Sequence, residues 1–171
     1  MPSVTVYTTK DASAIDTSTY NWNGTDDHHP VGVMVGPTYK ARSVIYFPIN
    51  FTGMGTITEA VMWLRGSKSG SSHCYGDTTS KTMYVRRQGK SWVEGAATAE
   101  NTWTNRTHDY TTLEGATTTD QATKTFSSGI TDGTWYSVNI TAIVNRWKAG
   151  SANHGVLLVN SNETNEDDAL E

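Results

Sequence analysis

Three aromatic residues and two arginines at strand spacing, Tyr46, Trp63, Tyr84, Arg65 and Arg86, are the side chains here best suited to molecular recognition. Successive side chains of an extended chain point to opposite faces. In Ile57–Leu64 and the residue after it, that rule places Ala60, Met62 and Leu64 on one face and Val61, Trp63 and Arg65 on the other. It likewise sets Tyr46 opposite Ile45 and Phe47, and Tyr84 and Arg86 opposite Met83 and Val85. If these strands share a sheet, the five residues form one aromatic and basic outer surface. Aromatic faces stack on the C–H surfaces of pyranose rings, and a guanidinium takes a carboxylate through paired hydrogen bonds, so the surface suits an anionic polysaccharide. The competing reading is that loops cover this face and turn it into a minor core.

Two long loop-like stretches add candidates. Residues 16–30 hold Trp22, Asp26, Asp27, His28 and His29, and residues 66–81 hold His73, Cys74, Tyr75 and Asp77. Long loops in small domains tend to bind something, which brings Trp22 and Tyr75 into the candidate ligand-binding set. The Asp26-Asp27-His28-His29 run has metal-ligand residue types, but no spaced second cluster of the kind zinc takes. Asp11, Asp16, Asp26 and Asp27 are oxygen donors suited to a structural calcium that pins loops; solvated turn acids are the plainer alternative. No other cofactor is called for. The acids Glu163, Glu166, Asp167 and Asp168 read as a solvated tail.

Catalysis is not expected. A glycosidase needs two carboxylates across a cleft, and Asp and Glu are few in the patterned segments, Glu94 being the best single candidate. There is no Gly-x-Ser-x-Gly elbow, and Cys74 has no evident base beside it. Asn-x-Thr sequons at Asn23, Asn50, Asn105, Asn139 and Asn162 reflect the abundance of Thr.

The elements that must position these residues are mostly strands. The chain has 171 residues, enough for one domain over residues 1–171 with a core of its own. Charged residues make up only 18%, with Thr, Ser, Gly and Asn abundant, a composition suited to an all-β domain and not to a helical bundle. Apolar alternation marks strands at Val4 and Val6, at Val31, Val33 and Val35, and over Val44 to Ile49 and Ile57 to Leu64. It marks others at Met83 and Val85, over Tyr136 to Ile140, and over Val156 to Val159. Residues 105–129, rich in Thr, hold one edge strand and a loop. Ile140, Ile143, Val144 and Trp147 follow helical spacing, with Asn139 or Thr141 to cap the start and Gly150 to end it, predicting one short helix over 142–148. The net charge of -4 is scattered and gives no basic face for nucleic acid, and no run is long enough to span a membrane.

Several short motifs run through the chain: Arg42–Phe47 (RSVIYF), Ile57–Leu64, Ser91-Trp-Val-Glu94, Thr102-Trp103, Val138–Thr141 and Asn153–Leu158. Together they resemble the DNRLRE-type β-sandwich, a family that includes alginate- and other polysaccharide-binding modules, over about residues 11 to 170. The resemblance implies a jelly-roll type antiparallel β-sandwich and a non-catalytic module displayed on a surface. It also implies core positions for Trp92, Trp103 and Trp147. Departures from the family pattern are Tyr46 at a usually basic position, Pro48 and Asn139 where Asp is usual, and an end at Asp167-Asp-Ala-Leu-Glu171 without the family's final strand. Either the chain is truncated there or a neighbouring subunit supplies the strand.

No basic and apolar leader follows Met1. Either that Met was added for expression, or the chain belongs to a virion assembled in the cytoplasm and released by lysis. The expected function is a carbohydrate-binding or adhesion module, extracellular or on a virion surface. The alternative is a structural component of a phage tail or capsid that acts mainly through contacts with neighbouring virion subunits.

Overall fold

The computed structural model describes residues 3–15, 31–34, 39–66, 80–89, 91–92, 117–127 and 130–163. Its elements are β1 (Lys10–Ile15), β2 (Gly32–Met34), β3 (Tyr39–Tyr46), β4 (Val61–Arg65), β5 (Lys81–Arg87), β6 (Thr117–Phe126), β7 (Trp135–Asn139), α1 (Thr141–Lys148) and β8 (Val156–Asn160). The run Val156-Leu-Leu-Val has no polar position, so a strand made from it must be covered on both faces. It takes the middle of the larger sheet, whose order is β1-β3-β8-β5-β6 with β2 added to β3, and all five residues of β8 are buried. A second sheet pairs β4 with β7. Every pairing is antiparallel. The described residues are thus all-β with one short helix and two antiparallel sheets, consistent with a sandwich-like fold.

Register decides which side chains share a face. Ile45 sits opposite Val156, and Leu158 opposite Ser43 and Val85. Ile45, Val85, Val156 and Leu158 meet Met62 of β4, Val138 of β7 and Ile143, Val144 and Trp147 of α1 in one buried cluster. Val44 opposite Leu157, and Tyr84 opposite Val159, point the other way, into a smaller cluster closed by Trp92. The larger sheet therefore carries a main core on one face and a second apolar layer on the other.

The helix begins one residue earlier than its apolar spacing suggests. Neither expected residue is the N-cap, which is Ile140 with no side-chain cap: the Asn139 side chain, one residue earlier, accepts from the Thr141 amide at 3.0 Å, and the Thr141 hydroxyl accepts from the Ala60 amide at 2.8 Å. At the other end Gly150, with φ +105, bonds the Trp147 carbonyl and Ser151 that of Arg146, the paired arrangement for which a left-handed glycine is needed.

Two expectations are corrected. Val4 and Val6 do not form a strand: residues 3–8 are irregular and Val4 is 67% exposed, because pairing with β3 starts only where the Thr9 amide reaches the Tyr46 carbonyl. The first strand is instead the polar Lys10–Ile15, whose buried Ser13 hydroxyl is satisfied by that of Ser43 at 2.8 Å. Glu163 is not a solvated tail acid. It takes the buried Arg42 guanidinium through two bonds of 2.9 and 2.8 Å. Residues 166–168 lie outside the described residues.

The expected Thr-rich edge strand is β6, at one end of the larger sheet. Its pairing with β5 slips between Val85 and Arg87, and the extra residues carry Asp120, 9% exposed, toward Arg146 of α1 at 3.1 Å and Arg87 at 3.6 Å. That irregularity ties the helix to the sheet. Among the described residues no helix is long and apolar enough to cross a membrane.

Charge-assisted bonds to a part-buried guanidinium make the Arg42–Glu163 pair a measurable contributor. Glu163→Ala is expected to lower the unfolding free energy by about 1.5–3 kcal/mol, read as a lower urea midpoint at unchanged slope.

Candidate functional site

The sheet topology separates the five residues expected on one outer surface. Tyr46 and Tyr84 lie in the larger sheet on β3 and β5 with Arg86, while Trp63 and Arg65 lie on β4 in the two-stranded sheet. The condition that these strands share a sheet fails. The physical reason is that the inner face of β4 packs against the larger sheet instead of pairing with it: Met62 joins the core cluster of Ile45, Met83 and Val85. The outward faces of the two sheets consequently lie on opposite sides of the protein.

On the smaller sheet, alternation acts as the residues dictate. Met62 is buried and Leu64 half-buried, whereas Val61, Trp63 and Arg65 are exposed, Trp63 by 60%. Strand β7 repeats the pattern, with Val138 buried and Trp135 also 60% exposed. Arg65 is directly opposite Trp135, and Trp63 is opposite Ser137. The two tryptophans are therefore diagonal neighbours on one face, a backbone separation of about 7–8 Å. Below them Gly66 and the 130–134 turn close the end of the ribbon, through Gly66 N–H to Thr134 O at 2.8 Å and Gly133 N–H to Gly66 O at 2.9 Å. No side chain fits at Gly66: a Cβ would stand 2.4 Å from Ile130 Cγ2 and 2.7 Å from the Thr131 carbonyl oxygen. Arg65 makes no ion pair among the described residues.

The sequence reading did not single out Trp135. The signal was available, since Tyr136, Val138 and Ile140 alternate on the core side and leave Trp135 and Ser137 outside.

On the larger sheet the outward face is largely covered. Val44, Leu157, Val159 and the 6%-exposed Trp92 form the second cluster, with Tyr46 and Tyr84 half-buried against it. For these two tyrosines the minor-core reading describes their setting. Arg86 lies over the Tyr84 ring at 5.3 Å and donates to Gln121 Oε1 at 2.8 Å, so its guanidinium is partly engaged. Trp92 is held by its indole N–H, which donates to the His154 carbonyl at 2.7 Å. Trp92 and Trp147 are both buried, as their resemblance to family core positions implied.

Beside Trp92 the cover is incomplete. Lys10, Tyr46, Ser91, Trp92, Asn153 and His154 line a cleft of about 150 Å³. Lys10, the register partner of Tyr46, holds its ammonium 5.4 Å from that ring. Nothing in the sequence pairs Lys10 with Tyr46; only the β1–β3 register does.

Trp22, Tyr75, Asp16, Asp26 and Asp27 lie outside the described residues, as do Glu94 and Trp103. Asp11 is half-buried on β1. Among the described residues no three His, Cys, Asp or Glu side chains gather as a metal site would require. Comparison of the chain with protein-family models, with curated proteins and with solved structures finds no match.

The two faces should respond differently to substitution. Trp92→Phe keeps most of the apolar bulk but removes the bond to His154, and is expected to cost about 0.5–1.5 kcal/mol in urea unfolding. Trp63→Phe on the exposed ribbon is expected to stay within about 0.5 kcal/mol of the parent.

Proposed function

We propose that the protein is a non-catalytic carbohydrate-binding or adhesion module whose receptor surface is the outward face of the two-stranded sheet, formed by Trp63, Trp135 and Arg65. The observation that carries this reading is two tryptophans, each 60% exposed, side by side on a face that also presents an arginine free of carboxylates among the described residues. Leaving two indoles in water is unfavourable, and paired exposed aromatics of this kind mark surfaces that bind. Ring faces offer stacking area to pyranose C–H groups, and the indole N–H groups, Ser137 and Asn139 surround that area with hydrogen-bonding capacity.

Arg65 directs the choice toward an anionic polysaccharide. Its guanidinium matches a uronate carboxylate or a sulfate ester in geometry and charge. The resemblance of the sequence motifs to polysaccharide-binding β-sandwich modules points the same way. In this reading Tyr46, Tyr84 and Arg86 do not take part in the platform, because they face the other side.

The experiment is binding of the purified chain to immobilised uronate-rich, sulfated and neutral polysaccharides, with single variants Trp63→Ala, Trp135→Ala and Arg65→Ala alongside. Each tryptophan variant is expected to weaken binding about tenfold or more, near 1.4 kcal/mol. Arg65→Ala is expected to remove most of the preference for charged over neutral polymer and to flatten the salt dependence. A folded protein that retains no polymer of any class would overturn the proposal and assign the ribbon face to contacts with other proteins.

A further inference from the structure

We infer that the cleft beside Trp92 is a second carbohydrate site, taking a single anionic sugar unit or chain end, on the side of the protein opposite the tryptophan ribbon. The inference builds on the glycan-binding reading but uses none of the ribbon's residues.

Size comes first. A cleft of about 150 Å³ accommodates one six-membered ring and falls well short of the roughly 300–1,000 Å³ of sites that enclose larger ligands. The lining then sets the chemistry. Among the described residues Lys10 is its cation, exposed and without a carboxylate partner, and none of them brings an acidic side chain to the cleft. The position of Lys10 above the Tyr46 ring, 5.4 Å from its centre, partly fixes the ammonium where a carboxylate could meet it. Ser91 and the half-buried His154 complete the polar part of the lining.

The walls are also held rigidly. Asn153 donates to the Phe47 carbonyl at 2.8 Å and accepts from the Gly155 amide at 3.0 Å, so its side chain is committed to shaping the turn and not to ligand. Gly155, with φ +89, lies so close to β3 that a Cβ there would stand 2.2 Å from the Ile45 carbonyl oxygen. The His154 carbonyl is fixed in turn by the Trp92 indole. A cleft whose walls are set before binding spends little of its interaction energy on ordering them.

The test follows the six indole N–H signals of the ¹⁵N-labelled protein during titration with glucuronate, glucose and inorganic sulfate. Lys10→Met and Trp63→Ala variants run in parallel. Glucuronate is expected to shift the Trp92 indole signal saturably, glucose at least tenfold more weakly. Lys10→Met should weaken glucuronate at least tenfold, and Trp63→Ala should leave it unchanged. Failure of glucuronate to move the Trp92 signal would overturn the second site without touching the ribbon, whose polymer binding is scored separately. Equal shifts by sulfate and glucuronate would also overturn it, as they would mark an anion pocket indifferent to sugar. Unchanged glucuronate binding in Lys10→Met would do the same for the charge-based assignment.

Discussion

The requirement that β8 be covered on both faces governs this structure. All five of its residues are buried between β3 and β5, and its alternation sends Val156 and Leu158 one way and Leu157 and Val159 the other. One sheet face can rest against a second layer, but the other then needs a cover of its own. The two solutions differ in kind. The face bearing Val156 and Leu158 is met by a strand pair and a helix, while the face bearing Leu157 and Val159 is closed by Trp92 with two half-buried tyrosines at its margins. Among the described residues one indole does the covering, and the cleft at Lys10 and His154 lies at its border.

Several polar groups inside this arrangement are paired where they would otherwise be expensive to bury, although the buried Gln88 amide and the Trp147 indole N–H find no partner among the described residues. Ser13 and Ser43 satisfy each other across β1 and β3, and Arg42 is met by Glu163. Asp120 lies between Arg87 and Arg146. The last of these shows how an irregularity acquires a use. The slip in the β5–β6 ladder brings a carboxylate to the helix, giving α1 a polar attachment to the sheet beyond its apolar packing.

Elements whose apolar pattern is determined by burial were legible in the sequence. Strands β3, β5, β7 and β8 and helix α1 all carry such patterns, and the helix was placed to within a residue because Asn139 and Gly150 mark its ends in chemically specific ways. Strand β1 was not legible, since Lys10-Asp-Ala-Ser-Ala-Ile15 has little alternation and is held by pairing with β3. The outward orientation of Trp63 was readable from its neighbours alone. Its separation from Tyr46, Tyr84 and Arg86 was not, because strand periodicity reports a face but not which sheet that face belongs to. The same limit hid the Lys10–Tyr46 pair, which exists only through a register linking residues far apart in the chain.

The β4–β7 ribbon is clamped at one end. Val61 and Asn139 lie together there, and the chain just before β4 is stitched to α1 through Ala60 N–H to Thr141 Oγ1, Asn145 Nδ2 to Ile57 O and Lys148 Nζ to Gly55 O, with Ile140 N–H returning to Ala60 O. Arg65 and Trp135 stand at the far end, beyond Trp63. The far end is held as well, since Ile130 and Tyr136 pack against the main core and the Tyr136 ring meets Phe126 of β6 edge-on. A pull on the tryptophans is therefore carried along the whole ribbon, into the helix at one end and into the edge strand of the larger sheet at the other.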